Sequence, residues 1–148
     1  MTTTDHPVLT AVTLGVRDVS ASAAFYERLG FTRKMRATGD EIAFFDAGGL
    51  LLAVWDWSKL AADAAVPEQP APQTFRGSTL AWNRRTREEV DESFAHAIKA
   101  GGTSLRRPEP TDYGGYRGYF ADPDGHVWEI VTAPGFGFTE DGRLILPD

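Results

Sequence analysis

The sequence predicts an α+β protein of two βαβββ modules, whose strands form a curved mixed sheet around a cleft with the helices on the outside. Three observations predict it. The order strand–helix–strand–strand–strand can be read twice along the chain. The two helical segments carry the same apolar stripe, Ala21, Phe25 and Leu29 in the first and Val90, Phe94 and Ile98 in the second, each at i, i+4, i+8. Each stripe ends at a glycine, Gly30 or Gly101, where a helix C-terminus favours a left-handed residue.

The first module spans about residues 8–59. Thr10 to Val16 alternates, with Val12, Leu14 and Val16 on one side, which is a strand pattern. Asp18 and Ser20 are the cap candidates for the helix that follows. Phe31–Ala37, Glu41–Asp46 and Leu50–Trp57 read as strands, separated by turn signals at Gly39-Asp40 and Gly48-Gly49. Residues 60–75, with Pro67, Pro70 and Pro72 in an Ala-rich stretch, read as a connector. The plan then repeats over residues 76–135. Ser78–Arg84 is strand-like, and Thr86 with Glu89 forms a capping box. Thr103–Arg106, Tyr116–Ala121 and Val127–Thr132 are three further strands, and Asp122-Pro123-Asp124-Gly125 is a strong turn. In the tail, 136–148, Phe136, Phe138 and Leu144-Ile145-Leu146 suggest packing on the body or on a partner chain, with disorder as the alternative. One module alone leaves a sheet face open, whereas two can curve around a concave junction of the kind ligands favour. An ordinary α+β domain with coincidental periodicity is the alternative.

Composition narrows the function classes. At 42% hydrophobic and 24% charged, the 148-residue chain is globular in character rather than disordered. Apolar runs such as Gly48–Trp55 fall well short of the about 20 residues of a membrane helix, so no membrane association is expected. Met1–Pro7 lacks the pattern of a signal peptide, which points to the cytoplasm. The absence of cysteine excludes disulfides, thiolate catalysis and Cys-based metal sites. His6, His96 and His126 are the only histidines. The net charge of −6 and scattered basic residues, apart from Arg84-Arg85-Thr86-Arg87, argue against nucleic-acid binding. The glycine pairs lack the Gly-Lys-Ser/Thr ending of a phosphate loop.

Val16-Arg17-Asp18, Ser22, Phe25-Tyr26, Leu29-Gly30-Phe31 and the block from Gly118 to Ile130 resemble the vicinal-oxygen-chelate superfamily of glyoxalases, bleomycin-resistance proteins and dioxygenases. The resemblance covers roughly Leu9 to Ala133, and the final strand block is its more specific part. It implies paired βαβββ modules, matching the repeat read above, and a homodimer whose clefts draw on both chains. It also implies metal ligands, His or Glu, on the first and last strand of each module. Carried over position by position, these fall at Ala11, Ala53, Thr79 and Glu129. A catalytic ion needs several such side chains converging on it, and only Glu129 is a good ligand. A vestigial metal site and no cofactor are therefore expected.

Strand alternation then indicates what faces the cleft. The first strand contributes Ala11, Thr13 and Gly15, and the fourth Leu51, Ala53 and Trp55. The fifth contributes Thr79, Ala81 and Asn83, or Trp82 after a one-residue slip, and the last Val127, Glu129 and Val131. Trp55 offers a flat wall for stacking. Trp57, Tyr116 and Tyr119 are candidates for the rim, whereas Phe120 and Trp128 read as core. Arg36 is a candidate partner for a ligand anion at the mouth, with a solvated surface role as the alternative. Glu129 is the candidate base, because desolvation between Trp128 and Ile130 would raise its pKa. Its alternative role is a relic held by a hydrogen bond from a Tyr, Thr or Asn. The expected function is metal-independent binding of a small aromatic or polycyclic molecule, of the resistance or sequestration type. The alternatives are a metal-free isomerase or lyase using Glu129, a metal-dependent lactoylglutathione-lyase-like or dioxygenase-like enzyme with an atypical site, and an accessory module with a vestigial cleft.

Overall fold

The computed structural model describes residues 6–148. Most of the N-terminal segment used above to argue against a signal peptide lies outside the described residues. The first module comprises β1 (Ala11–Val16), α1 (Val19–Leu29), β2 (Thr32–Lys34), β3 (Ile42–Asp46) and β4 (Leu51–Asp56). A short helix α2 (Trp57–Asp63) follows, and then the connector. The second module comprises β5 (Leu80–Asn83), α3 (Arg87–Ala100), β6 (Thr103–Pro110), β7 (Tyr116–Ala121) and β8 (Val127–Thr132). The tail adds the hairpin β9 (Gly137–Phe138) and β10 (Leu144–Ile145).

Both long helices start and stop by local chemistry. The Asp18 carboxylate accepts the Ala21 N–H at 3.0 Å, and the Thr86 hydroxyl accepts the Glu89 N–H at 3.1 Å. Glu89 reaches back to the Arg85 N–H at 2.9 Å, one residue before the cap. Gly30 and Gly101 close the helices at φ of 122° and 120°, where a side chain would be strained.

The strands form two mixed four-stranded sheets, ordered β1-β4-β3-β2 and β5-β8-β7-β6, in each of which the module's first and last strands pair in parallel. The α+β, two-module architecture is thus as the sequence predicts, with its curved sheet realised as two separately hydrogen-bonded sheets. α1 and α3 pack on their own sheets and touch each other. One apolar cluster joins the modules through Phe25, Tyr26, Phe45, Phe120, Trp128 and Ile130. Burying each such large side chain contributes about 1.5–3 kcal/mol. The Tyr26 ring is 5.9 Å from both Phe45 and Trp128, so α1 connects the two sheets. Among the described residues no helix is long and apolar enough to cross a membrane.

Four local expectations are revised. Ala21 is exposed, and the buried stripe of α1 is formed by Val19, Ser22, Ala23, Phe25, Tyr26 and Leu29. The second strand stops at Lys34 because Met35 takes φ 50°, opening a single 3-10 turn at Arg36–Thr38. The connector is not wholly irregular: Asp56 caps α2 by accepting the Lys59 N–H at 3.0 Å. Finally, β6 continues to Pro110, with its register broken between Ser104 and Arg106 and between Arg106 and Glu109.

Candidate ligand-binding cleft

Each sheet turns one face to the core and leaves the other open. In the second module the register sets Tyr119 and Ala81 on either side of Glu129, on the open face. The Tyr119 hydroxyl donates to Glu129 Oε2 at 2.8 Å. Burial, then the bond to Glu129 and its charge, hold that hydroxyl above the ordinary tyrosine pKa. The Arg117 guanidinium lies 5.9 Å from the Tyr119 ring centre and 3.5 Å from Glu109. Arg106 also pairs with Glu109, and its hydrogen bond, then its charge, hold the Glu109 carboxyl below the usual range.

A cleft of about 1120 Å³ lies between the open edge of this sheet and the connector. Its apolar lining includes Trp57, Phe75, Leu105 and Val127, and its polar lining includes Thr79, Tyr119 and Arg106 together with Arg17, Asp56 and Glu68. The connector is fastened at several points. Trp57 Nε1 donates to the Gln69 carbonyl at 2.7 Å, and Arg76 stacks on Trp57 at 5.4 Å. Arg76 also donates to the Asp124 carbonyl at 2.6 Å and to His126 Nδ1 at 3.3 Å. His126 Nε2 in turn donates to the Gly15 carbonyl at 2.7 Å, so one chain of contacts ties connector, second module and first module together. Despite this fastening, Phe75 is 72% and Leu105 52% exposed.

The structure distributes the predicted site residues over several places. Thr79, Tyr119 and Trp57 line the cleft, and Glu129 stands behind Tyr119 rather than on the lining. The hydrogen bond from a tyrosine, considered above as the alternative role for Glu129, is present. Thr13 and Ala11 are exposed on β1, Trp55 is half-buried on β4, and Ala53 is buried. None of these four lines this cleft or the second cavity described next. That cavity, about 570 Å³, lies where β1 and β5 approach each other, and it contains Trp82 and Asn83. The β5 register has not slipped: Ala81 and Asn83 pair opposite Glu129 and Val131, and Trp82 packs on the core side.

Tyr116 and Arg36 are corrections. Alternation along β7 sets Tyr116 on the same side as Gly118 and Phe120, against the core, where its hydroxyl donates to Asp91 of α3 at 2.7 Å. Arg36, in the 3-10 turn, pairs with Glu27 of α1 at 2.8 Å and does not reach the cleft. The cleft residues that the sequence reading missed are Phe75, Arg76 and Leu105. For Phe75 and Arg76 the one available signal was an aromatic–arginine pair shortly after a proline-rich run.

The superfamily metal positions do not fit a divalent cation here. Ala11 and Ala53 present methyl groups, Thr79 a hydroxyl, and Glu129 a carboxylate already accepting from Tyr119. Among the described residues no three His, Asp or Glu side chains gather into a group that could hold an ion. Both ring nitrogens of His126 make protein contacts, and His96 Nε2 bonds the Leu29 carbonyl at 3.0 Å.

The comparisons with known proteins agree with the fold. The chain is 36% identical to a glyoxalase-related enzyme from Fulvimarina pelagi, with a TM-score of 0.83 over 95% of this chain and 99% of that one. A glyoxalase/bleomycin resistance protein/dioxygenase from Nocardioides gives 27% identity and a TM-score of 0.73 over 90% of this chain and 88% of that one. The metallothiol transferase FosB of Lysinibacillus sphaericus is 26% identical over 117 residues, 79% of this chain and 76% of that protein. The family model described as Glyoxalase/Bleomycin resistance protein/Dioxygenase superfamily matches residues 8–130, and the chain belongs to that superfamily.

Proposed function

We propose that the protein binds a small, partly aromatic molecule in the cleft between connector and second module, without a metal ion of its own. The observation that carries this reading is the exposure of Phe75 and Leu105 beside Trp57 in a concave space. Apolar side chains left open to solvent in a hollow mark a binding surface. Tyr119 is the polar anchor. Its proton is committed to Glu129, so its oxygen is oriented to accept a hydrogen bond from the ligand. Glu129 is in this view a positioning residue. Relatives named as a bleomycin resistance protein and as a metallothiol transferase are in keeping with small-molecule handling.

A metal-free isomerase or lyase is the second reading, favoured by one observation: Tyr119 and Glu129 form a proton-transfer pair at the border of the cleft. We further propose a homodimer. Trp55 and Thr13 lie on an open face apart from the cleft, so a site that draws on them together with Glu129 requires a surface from a second copy.

Calorimetric titration of aromatic compounds tests these readings. Trp57→Ala is expected to cost about 1–3 kcal/mol of binding, while Glu129→Gln keeps affinity within about tenfold, since one hydrogen bond is worth about 1 kcal/mol. Turnover of a bound compound that disappears in Glu129→Gln would replace the binder with the enzyme. Light scattering of a monomer at working concentration would remove the homodimer.

A further inference from the structure

We infer that the junction between β1 and β5 is a second, separate small-molecule site, built for an uncharged aromatic compound and roofed by the C-terminal hairpin. Because the two sheets are hydrogen-bonded separately, β1 and β5 are both sheet edges. The space between them is the cavity of about 570 Å³, within the about 300–1,000 Å³ usual for ligand pockets. Its surface is apolar and aromatic: Val12, Phe31, Leu52, Leu80, Trp82 and Trp128. Phe31 and Trp128 stand with ring centres 5.8 Å apart, and Arg84 covers Trp82 at 5.0 Å.

The charges at the mouth favour no ion. Asp141 and Arg143, the charged residues lining it, pair with each other at 3.2 Å. Trp128 Nε1 is committed to Tyr26, which leaves the Asn83 amide and the hydroxyl of Thr79, a residue that also lines the first cleft, as the uncharged side-chain groups suited to anchor a polar atom. An uncharged ring system with at most one hydrogen-bonding group matches this surface.

The hairpin holds its place by two clamps. The Arg143 guanidinium comes to 3.0 Å from where a Cβ on Gly49 would stand, so a side chain there would push it aside. On the other side Arg85 donates to the Thr139 carbonyl at 2.8 Å and lies 4.8 Å from the Phe138 ring centre. Both clamps are exposed and made of few contacts, as an element that opens for a ligand requires.

Titration of the full chain with N-phenylnaphthylamine, an uncharged fluorescent aromatic, tests this site. We expect saturable uptake accompanied by quenching of tryptophan emission through energy transfer, and the transfer should fall in Trp82→Phe. Val12→Phe and Leu80→Phe fill the cavity and should each weaken uptake about tenfold or more while leaving the thermal midpoint unchanged or higher. Phe75→Ser removes uptake in the other cleft but should leave the Trp82-dependent part of the energy transfer within about twofold. The sulfonated analogue should bind more weakly than the uncharged probe. Absence of saturable uptake, indifference to both filling variants, or loss of the Trp82-dependent transfer with Phe75→Ser overturns the second site. Tighter binding of the sulfonate overturns its assignment to uncharged ligands.

Discussion

The two hairpin turns at corresponding positions of the modules, Asp46 to Leu50 and Asp122 to His126, begin with the same chemistry and end in different roles. In both, the first aspartate accepts the N–H two residues on, Gly48 at 2.9 Å and Asp124 at 2.9 Å. Asp46 is exposed, and its side chain serves the turn alone. Asp122 is 3% exposed and also accepts the His126 N–H at 2.8 Å and the Tyr26 hydroxyl at 2.6 Å. The two modules therefore share the local turn, while the surroundings of one make it a bond between the modules. Burial rather than motif decides what such an aspartate contributes.

The sharpest way to break this comparison is Asp122→Ala. It leaves the Tyr26 hydroxyl and two backbone N–H groups without their acceptor. Buried polar groups without partners cost about 1–3 kcal/mol each, and partial rescue by water brings the expected loss to about 3–5 kcal/mol in urea unfolding. A loss below about 1 kcal/mol would mean that burial adds nothing to the shared turn chemistry.

How far the molecule was legible in its sequence follows the same division. Local signals carried directly: the caps at Asp18 and Thr86, the glycine stops and the strand alternation all depend on neighbours within a few residues. Alternation along the last strand put Glu129 on the open side, where the register sets Tyr119, read from the sequence only as a rim candidate, opposite it. The rim reading misplaced Tyr116 because a tyrosine near a strand end suits either face, and α3 supplied an unforeseen partner in Asp91. Phe75 and Leu105 were illegible as cleft residues for a different reason. Nothing local tells where a proline-rich connector will lie, and its course is set by Arg76 reaching the Asp124 carbonyl, 48 residues away.

Tyr26→Phe sharpens the comparison from the other partner. It removes the donor to a buried carboxylate and the acceptor of the Trp128 N–H, at an expected cost of about 2 kcal/mol near neutral pH. The change has a pH signature. Burial first, and the charge of Asp122 next, raise the Tyr26 hydroxyl well above its usual 10.0. A pKa raised in the folded state favours the protonated form, so its contribution is complete below pH 10 and is lost as the pH climbs above it. Wild-type stability should fall in the alkaline range. Tyr26→Phe should fall less steeply, with Tyr116 and Tyr119, both raised, supplying the remaining slope. Parallel alkaline profiles for the two proteins would show that the hydroxyl is not held by Asp122.

Asp46→Ala is the smallest expected effect and the control that gives the first its meaning. The side chain is exposed, its one turn bond runs to the Gly48 N–H, and water can replace it there. Gly48 and Gly49, at φ of 78° and 98°, keep the backbone bend without help. A cost of about 0.5 kcal/mol or less is expected in thermal unfolding. A cost approaching that of Asp122→Ala would place the stabilisation in the turn itself, and the difference between the modules would then lie in their open faces alone.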